Sequence, residues 1–589
     1  MTRSSPRADR SRPAPPSTSP APAASDARSI RRRDSSTRSG SNRDASRAKS
    51  ERGTEGSFGP AVYRKRTRYS AGAEPGVTRS VALGIDVGTS AAKAVFVDPR
   101  ARVIASGAAP YPVESPRPGW SQQRAASWWG GVVAAVHEAL ARAPAGVDVA
   151  AVGLSGQMHG CVLVDEGTLA AAPSGAIGAL GPVLLWNDQR TGPQCRAIHE
   201  RVGGRARLVE AVGNAALPGF TLPKLLWLAE HRPQEVARAA RLLLPKDFIA
   251  LQLTGRPATD VGDASGTLLF DARARRWRDD LAELFDLRRG LLPDVLESAQ
   301  VVGPLTPWAA AALGLRPGTP VAIGSGDNQT AAIGAGVTEP GHALAILGTS
   351  GVIYAPSASP RIDLAGQGRV QSGYDGTGRD RPGGWCNTGC MLSAGGALAW
   401  ARSVLNAPIE RLLEEADATP TGADGLLFAP YLTGERCPHA DPDLRGGWIG
   451  LTSAHGRGHL VRAVLEGVAM SMTQIVELIR AIGVPVESLR VTGGGARSPL
   501  WRRILADAVG VPVETPMSQE GSALGAALLG AVAAGMHADV RSASALVGPE
   551  DRIDPGPGRD IYADLRPAYD RLYATLKPPS GGAGAEPCP

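Results

Sequence analysis

From about residue 80 onward, hydrophobic and polar positions alternate in short blocks. Residues 81–85 are an apolar run, Asp86-Val87-Gly88-Thr89-Ser90 reads as a turn, and residues 94–97 are apolar again. Two such runs around a polar tip bearing Gly predict a β-hairpin. The period then changes. Trp128, Val132, Val136 and Leu140 recur at four-residue spacing within 127–141, which puts them on one face of a helix. Residues 149–154 read as a further strand, running into Ser155-Gly156-Gln157-Met158-His159-Gly160. Strands and helices continue to alternate, which predicts an α/β fold with mixed sheets.

The opening pattern returns in the second half. Residues 343–347 are apolar, Gly348-Thr349-Ser350-Gly351 is a turn, and 352–354 are apolar. The Gly-Thr-Ser triplets begin at 88 and 348 in the same strand–turn–strand setting, so an internal duplication is expected. One position breaks it: Asp86 stands two residues before the first glycine, Ile346 two before the second. Two similar halves with one acidic strand end predict a shared cleft with a single metal site. A third turn, Gly493-Gly494-Gly495-Ala496, follows the apolar run 489–492 and precedes a helix-like stretch over 499–509. Backbone N–H groups in such turns can face phosphate, and Gly lets the backbone approach without a Cβ clash.

Composition changes the picture mainly at the N-terminus. The 589 residues carry a net charge of +7. Residues 1–78 hold 17 Lys+Arg against 7 Asp+Glu, a net of +10, so the remainder carries −3. A segment of Arg, Ser, Pro and Ala cannot bury enough apolar surface to offset its ordering entropy, and residues 1–79 are expected to be a disordered basic tail. After Met1 the next methionine is Met158; a start codon near Val77 or Val81 would account for so atypical a leader. The basic charge thus belongs to the tail, and no nucleic-acid partner is expected for the body. No apolar run has the eighteen or so residues of a membrane span. Six cysteines are too few for a disulfide scaffold in a chain this long.

Absent motifs narrow the chemistry. None of the six lysines follows a glycine, which excludes the GxxxxGKS/T phosphate loop. No GxGxxG follows the opening strand, which argues against a dinucleotide site. HExxH and the EF-hand loop are also missing.

Several segments, in order, resemble the FGGY carbohydrate kinases of the actin-like ATPase superfamily. They are GIDVGTSAAKAV (84–95), GLSGQMHG (153–160), LLWNDQR (184–190), GFTLPKLLWLAEH (219–231), GSGDNQTAAIGAG (324–336), LGTSG (347–351), GGWIGLTSAHGRGHLVRAVLE (446–466) and VTGGGARSPLWRRILAD (491–507). The resemblance implies two actin-like (ribonuclease H-like) α/β domains with mixed sheets flanking a nucleotide and sugar cleft. The expected division is 80–326 and 327–578, with a flexible end over 579–589. It implies ATP and Mg²⁺, a small-molecule sugar, a cytoplasmic location, and a lean toward a homodimer.

By the same resemblance, Asp327 is the general base that accepts the sugar hydroxyl's proton. Met158, His159 and Asn328 contact the sugar, with a thioether for its C–H face and polar groups for its hydroxyls. Asp86 stands near Mg²⁺. Gly88, Thr89 and Ser90, with Gly348 and Thr349, face phosphate, and Gly493, Gly494 and Gly495 lie against adenosine. Lys93 either reaches phosphate or is solvated. Trp186, Asn187, Asp188 and Arg190 either line the sugar pocket or include an Asp188–Arg190 ion pair. Glu435 and Arg436 read as structural. Met158-His159 stands where the related glycerol kinases carry Arg-Glu, so D-xylulose, phosphorylated to D-xylulose 5-phosphate, is the expected reaction. The alternative is another ketose or a polyol: ribulose, a sugar alcohol or glycerol. A non-enzymatic actin-like filament or sugar sensor would need the nucleotide turns but not Asp327 with Met158 and His159.

Overall fold

A computed structural model of the chain describes residues 79–366, 368–378 and 384–577. The tail expected over 1–79 lies outside the described residues except for Arg79, which opens the first strand, and the end expected over 579–589 lies wholly outside them. The first sheet is built from β1 (Arg79–Val87), β2 (Ala91–Val97), β3 (Val103–Pro110), β4 (Val147–Gly156), β5 (Val301–Pro304) and β6 (Pro320–Gly326). Its order is β5-β6-β4-β1-β2-β3. β1 and β2 form the expected antiparallel hairpin, while β1, β4 and β6 run parallel.

The second sheet repeats this plan. It uses β7 (Gly341–Leu347), β8 (Gly351–Ser357), β9 (Gln371–Tyr374), β10 (Trp385–Met391), β11 (Val486–Thr492), β12 (Val513–Pro516) and β13 (Pro549–Ile553), in the order β9-β10-β8-β7-β11-β12-β13. β7 and β8 are the antiparallel hairpin, and β7, β11 and β12 are parallel neighbours. The duplication read from two short triplets is therefore a duplication of topology.

Side-chain size decides which face each layer covers. Along β1, Val81, Leu83, Ile85 and Val87 point into one core with Trp128, Val132 and Val136 of α1 (Ala125–Arg142) and with Phe248 and Leu251 of α2 (Pro245–Thr254). The alternate residues are small, as the period of two requires for a face with little room. Gly84 pairs with Gly153 across the sheet. In the second sheet, Ala343, Ala345 and Leu347 share a core with α4 (Arg457–Ala481) and α5 (Pro499–Val509).

Two helices lie between the sheets. α3 (Asp327–Gly334) follows β6 of the first sheet, yet its Ala331 and Ala332 pack with Leu344 and Tyr354 of the second. α6 (Gly521–Ala533) follows β12 of the second sheet, yet its Ala523, Leu524 and Ala527 pack with Ala82 and Val95 of the first. A Cβ on Gly525 would stand 1.8 Å from the Thr330 carbonyl oxygen, and one on Gly334 would stand 2.1 Å from that of Gly521. Toward the sheet, a Cβ on Gly84 would meet Ala523 O at 1.9 Å, and one on Gly153 would meet Ala526 O at 1.8 Å. Among the described residues no helix is long and apolar enough to cross a membrane.

Because those contacts are backbone to backbone, no rotamer change can relieve an added methyl. Gly525→Ala is expected to destabilise the protein by about 3 kcal/mol, read as a lower denaturant midpoint. An unchanged midpoint would contradict this packing.

Candidate active site

The parallel run of β1, β4 and β6 brings their carboxyl ends side by side, the edge where open α/β sheets collect ligands. The register sets Asp86 beside Ser155, and Ser155 beside Ser325. Asp327 is the first residue of α3 and directly follows β6. The Gly-rich stretch 324–336 is thus the end of a strand and a helix. Asp86 Oδ1 accepts from the Ser155 hydroxyl at 2.8 Å, and Ser155 Oγ lies 2.7 Å from Thr330 Oγ1. Thr330 also donates toward the Gly326 and Asp327 carbonyls at 3.0 and 3.2 Å, and Ser522 of α6 donates to the Asp327 carbonyl at 3.0 Å. The Asp86 carboxylate and the Asp327 backbone are thereby tied into one network.

The charges of Asp86 and Asp327 oppose each other. Burial, and then the neighbouring Asp86, push the Asp327 carboxyl up to about 7. Burial also raises Asp86, opposed by the Ser155 hydrogen bond and by Lys93. Deeper in, the buried Lys246 ammonium faces Asp247 at 2.6 Å, Asp260 at 3.0 Å and Asp263 at 3.4 Å. Burial holds Asp263 well above the usual carboxylate range despite Lys246, and the charge of Asp327 adds to that shift.

Beside Asp327 stand the expected sugar residues. Asn328 Nδ2 lies 3.8 Å from Met158 Sδ. His159 is buried and adopts a left-handed backbone at φ 69°, uncommon for a residue with a side chain. Its Nδ1 is 3.1 Å from the Gly266 carbonyl, which can only accept, so Nδ1 carries the proton. Burial, then Lys224 and Arg436, hold the imidazole well below its usual range. The ring is neutral, and its Nε2 lone pair is left as an acceptor. The Phe220 ring meets it edge-on at 4.8 Å.

Lys224 fixes this segment from behind. Its fully buried ammonium donates to the His159 carbonyl at 2.9 Å and the Gly219 carbonyl at 2.6 Å, and the Thr221 hydroxyl reaches the same His159 oxygen at 3.2 Å. Burial lowers Lys224 to about 7.

The first hairpin tip is clamped from three sides. The Gly88 carbonyl accepts from the Tyr111 hydroxyl at 2.6 Å, the Thr89 carbonyl from Gln123 at 2.7 Å, and Thr89 Oγ1 from Trp186 Nε1 at 3.0 Å. Ser90 is exposed. Lys93 faces Glu520 at 3.8 Å. In the second sheet, the Gly348 carbonyl accepts from Gly395 N at 2.8 Å, and the Thr349 carbonyl from Ala394 N and Gly396 N at 2.9 and 3.0 Å. The third turn packs against this tip. Gly493 sits at φ 89°, where a Cβ would be 2.7 Å from Leu347 O, and a Cβ on Gly495 would meet Leu347 Cβ at 2.8 Å. Gly494 faces open space.

Two groupings emerge: Asp86, Asp327, Asn328, Met158 and His159 on the first sheet's edge, and Gly348, Thr349 and Gly493 to Gly495 on the second's. Of the two readings of residues 186–190, the ion pair is realised. Asp188 and Arg190 meet at 2.7 Å, both buried, with the guanidinium 3.7 Å from the Trp120 ring centroid.

Residues 81–334 match the N-terminal domain, and 343–534 the C-terminal domain, of the FGGY family of carbohydrate kinases. The chain belongs to that family. It is 36% identical over 462 residues to the xylulose kinase of Bacillus subtilis (strain 168), covering 77% of this chain and 88% of that one. It is 35% identical over 499 residues to the xylulose kinase of Escherichia coli (strain K12), covering 84% and 99%. The crystal structure of a xyloylose kinase from Brucella ovis superposes with a TM-score of 0.77 at 33% identity, covering 84% of this chain and 99% of that chain. As a carbohydrate kinase of this family, the chain takes ATP and a small-molecule sugar as substrates.

The donor set near Asp86 suits Mg²⁺. It offers hard oxygens only, and among the described residues no group of three metal-ligating side chains exists. Mg²⁺ needs no such cage, because it keeps waters and takes phosphate oxygens. Sequence reasoning missed Ser155, Thr330 and Lys224. Lys224 stood inside a quoted segment, and its proline-flanked place at a helix start was the available signal.

The Asp327 shift has a definite sign. The folded carboxyl keeps its proton up to about pH 7, whereas the ordinary value is 3.8. The native state therefore binds more protons between these limits, and that stabilisation is lost as pH rises through 7. In ligand-free protein, stability should fall by about 2 kcal/mol more in wild type than in Asp327→Asn between about pH 5 and pH 8. Equal pH slopes in urea unfolding would refute the shift.

Proposed function

We propose that the protein transfers the γ-phosphoryl group of ATP to D-xylulose, giving D-xylulose 5-phosphate. The observation that carries the reading is the placement of Asp327, a weakened acid near 7, beside Met158, Asn328 and the left-handed, neutral His159. The similarity to xylulose kinases over more than three quarters of the chain supports the choice of sugar.

Each residue then has a task. The sugar lies with a C–H face on Met158 and hydroxyls on Asn328 and on His159 Nε2. Asp327 accepts the proton of the attacking hydroxyl. A base whose pKa lies near the working pH is half ionised yet still basic enough to take that proton. N–H groups of Gly88, Thr89 and Ser90, with those of Gly348 and Thr349, hold phosphate oxygens. Gly493 to Gly495 leave room for adenosine, with Gly494 open to it. Asp86 would hold Mg²⁺, which when bound neutralises charge on the phosphates. Lys224 keeps His159 in its unusual backbone state and does not touch substrate.

Asp327→Ala is expected to lower kcat by about 10²–10⁴-fold, with the KM for xylulose within about threefold of wild type. Near-normal turnover would remove Asp327 from the chemistry. Coupled ADP release across xylulose, ribulose, sugar alcohols and glycerol should give D-xylulose the highest kcat/KM. A tenfold preference for any other sugar overturns the substrate while leaving the kinase assignment intact.

A further inference from the structure

Arg436 stands out among the half-buried charges because no acid answers it. Its Nε and Nη2 are enclosed and have no hydrogen-bond partner, and among the described residues the guanidinium makes no ion pair. Its nearest acid in sequence does not neutralise it. Glu435 turns away, accepting from Leu392 N at 3.1 Å and from Arg436 N at 2.7 Å, and burial pushes its carboxyl up to about 8. These two bonds pin the backbone of Arg436 to the end of β10 while leaving its side chain unpaired.

The place it reaches is specific. The guanidinium carbon lies 5.5 Å from the Phe220 ring centroid, and Phe220 is the ring that meets His159 edge-on. The charge is felt by His159 and Lys224 on that side. On the other side it lies near Cys390, whose carbonyl accepts from Cys437 N at 3.1 Å and which pairs with Val352 just past the second hairpin tip. Arg436 therefore sits between the residues proposed to hold the sugar and the turn proposed to hold phosphate. Two enclosed guanidinium nitrogens without a partner are costly in the empty protein. Its planar fork matches the oxygens of a phosphoryl group, with which it makes charge-assisted hydrogen bonds.

We propose that Arg436 is a catalytic residue that binds the oxygens of the phosphoryl group while that group passes from ATP to the sugar. In that step the bond from Pγ to the β,γ-bridging oxygen breaks and a bond from Pγ to the sugar oxygen forms. The hydroxyl proton goes to Asp327, the electron pair leaves with ADP, and Arg436 keeps all its protons. The proposal rests on the kinase reading and not on the identity of the sugar.

The test uses Arg436→Gln and Arg436→Met with ATP and whichever sugar the wild type turns over fastest, so a wrong sugar assignment does not affect it. We expect kcat to fall by about 10²–10⁴-fold, with sugar KM within about threefold and a melting temperature equal to or above wild type, since an unpaired charge has been removed. A lower melting temperature with kcat within about fivefold of wild type means a structural arginine and overturns the proposal. If a variant loses both, the wild-type protein decides. Crystallised with ADP, aluminium fluoride and the sugar, it should place a fluoride within hydrogen-bond reach of the guanidinium. A guanidinium directed elsewhere overturns the assignment.

Discussion

Gly334 in α3 and Gly525 in α6 each face a backbone carbonyl of the other helix, at distances that admit nothing larger than hydrogen. α6 lies equally close to Gly84 and Gly153 in the first sheet. This run of contacts ties the second sheet's helix to the first sheet, and ties both to the helix that starts at Asp327. Close packing of this kind leaves few soft degrees of freedom, because backbone atoms held in helices and strands have no rotamers to trade. The separation of Asp86 from Asp327 is set by β1, β4, β6 and α3, and the α6 joint holds α3 in register.

Around that rigid joint the protein distributes buried charge unevenly. Lys246 meets three carboxylates, and burial outweighs its pull on Asp263, whose carboxyl is held well above the usual carboxylate range. Lys224 meets carbonyl oxygens and, among the described residues, no ion-pair partner, so burial wins over the pull of Asp188 and its ammonium is weakened to about 7. In each case desolvation is the larger effect and the neighbours modify it. The same competition acts on Asp327: burial beside Asp86 raises its proton affinity, as the proposed role of base requires.

Much of this could be read from the sequence. The hairpins, α1 and the duplication were legible because the apolar period switches cleanly between two and about four, and because a Gly-bearing tip marks each hairpin. The site residues around 158, 159, 327 and 328 came from the family resemblance and not from spacing. What escaped was the meaning of glycine between 324 and 336. Gly324 at φ 75° lies where a Cβ would be 1.8 Å from Leu154 O, and Gly334 touches α6. Both serve close approach, which a Gly-rich stretch in sequence does not announce. The partner of α6 lies almost two hundred residues away in the chain, and no local pattern announces a contact of that separation. Lys224 was hard to read for a related reason: beyond its place after a proline at a helix start, a lysine in a helix normally reads as solvated, and only the fold reveals the carbonyls around it.

The two halves agree in topology and differ in chemistry at matching places. The β1–β2 tip corresponds to the β7–β8 tip, and α3 after β6 corresponds to α6 after β12. The reciprocal contacts equate Gly334 with Gly525 and Thr330 with Gly521, which carries Asp327 onto Ser518, as the hairpins carry Asp86 onto Ile346. Both acids thus belong to the first sheet's edge, and neither has an acidic counterpart on the second. A duplicated pair of acids would set four negative charges around the triphosphate. Keeping the acids on one side leaves the second edge with N–H groups and small residues, as the proposed nucleotide side requires. In the proposed reaction the first edge then holds the proton acceptor, and the division of labour follows from which copy kept its carboxylates.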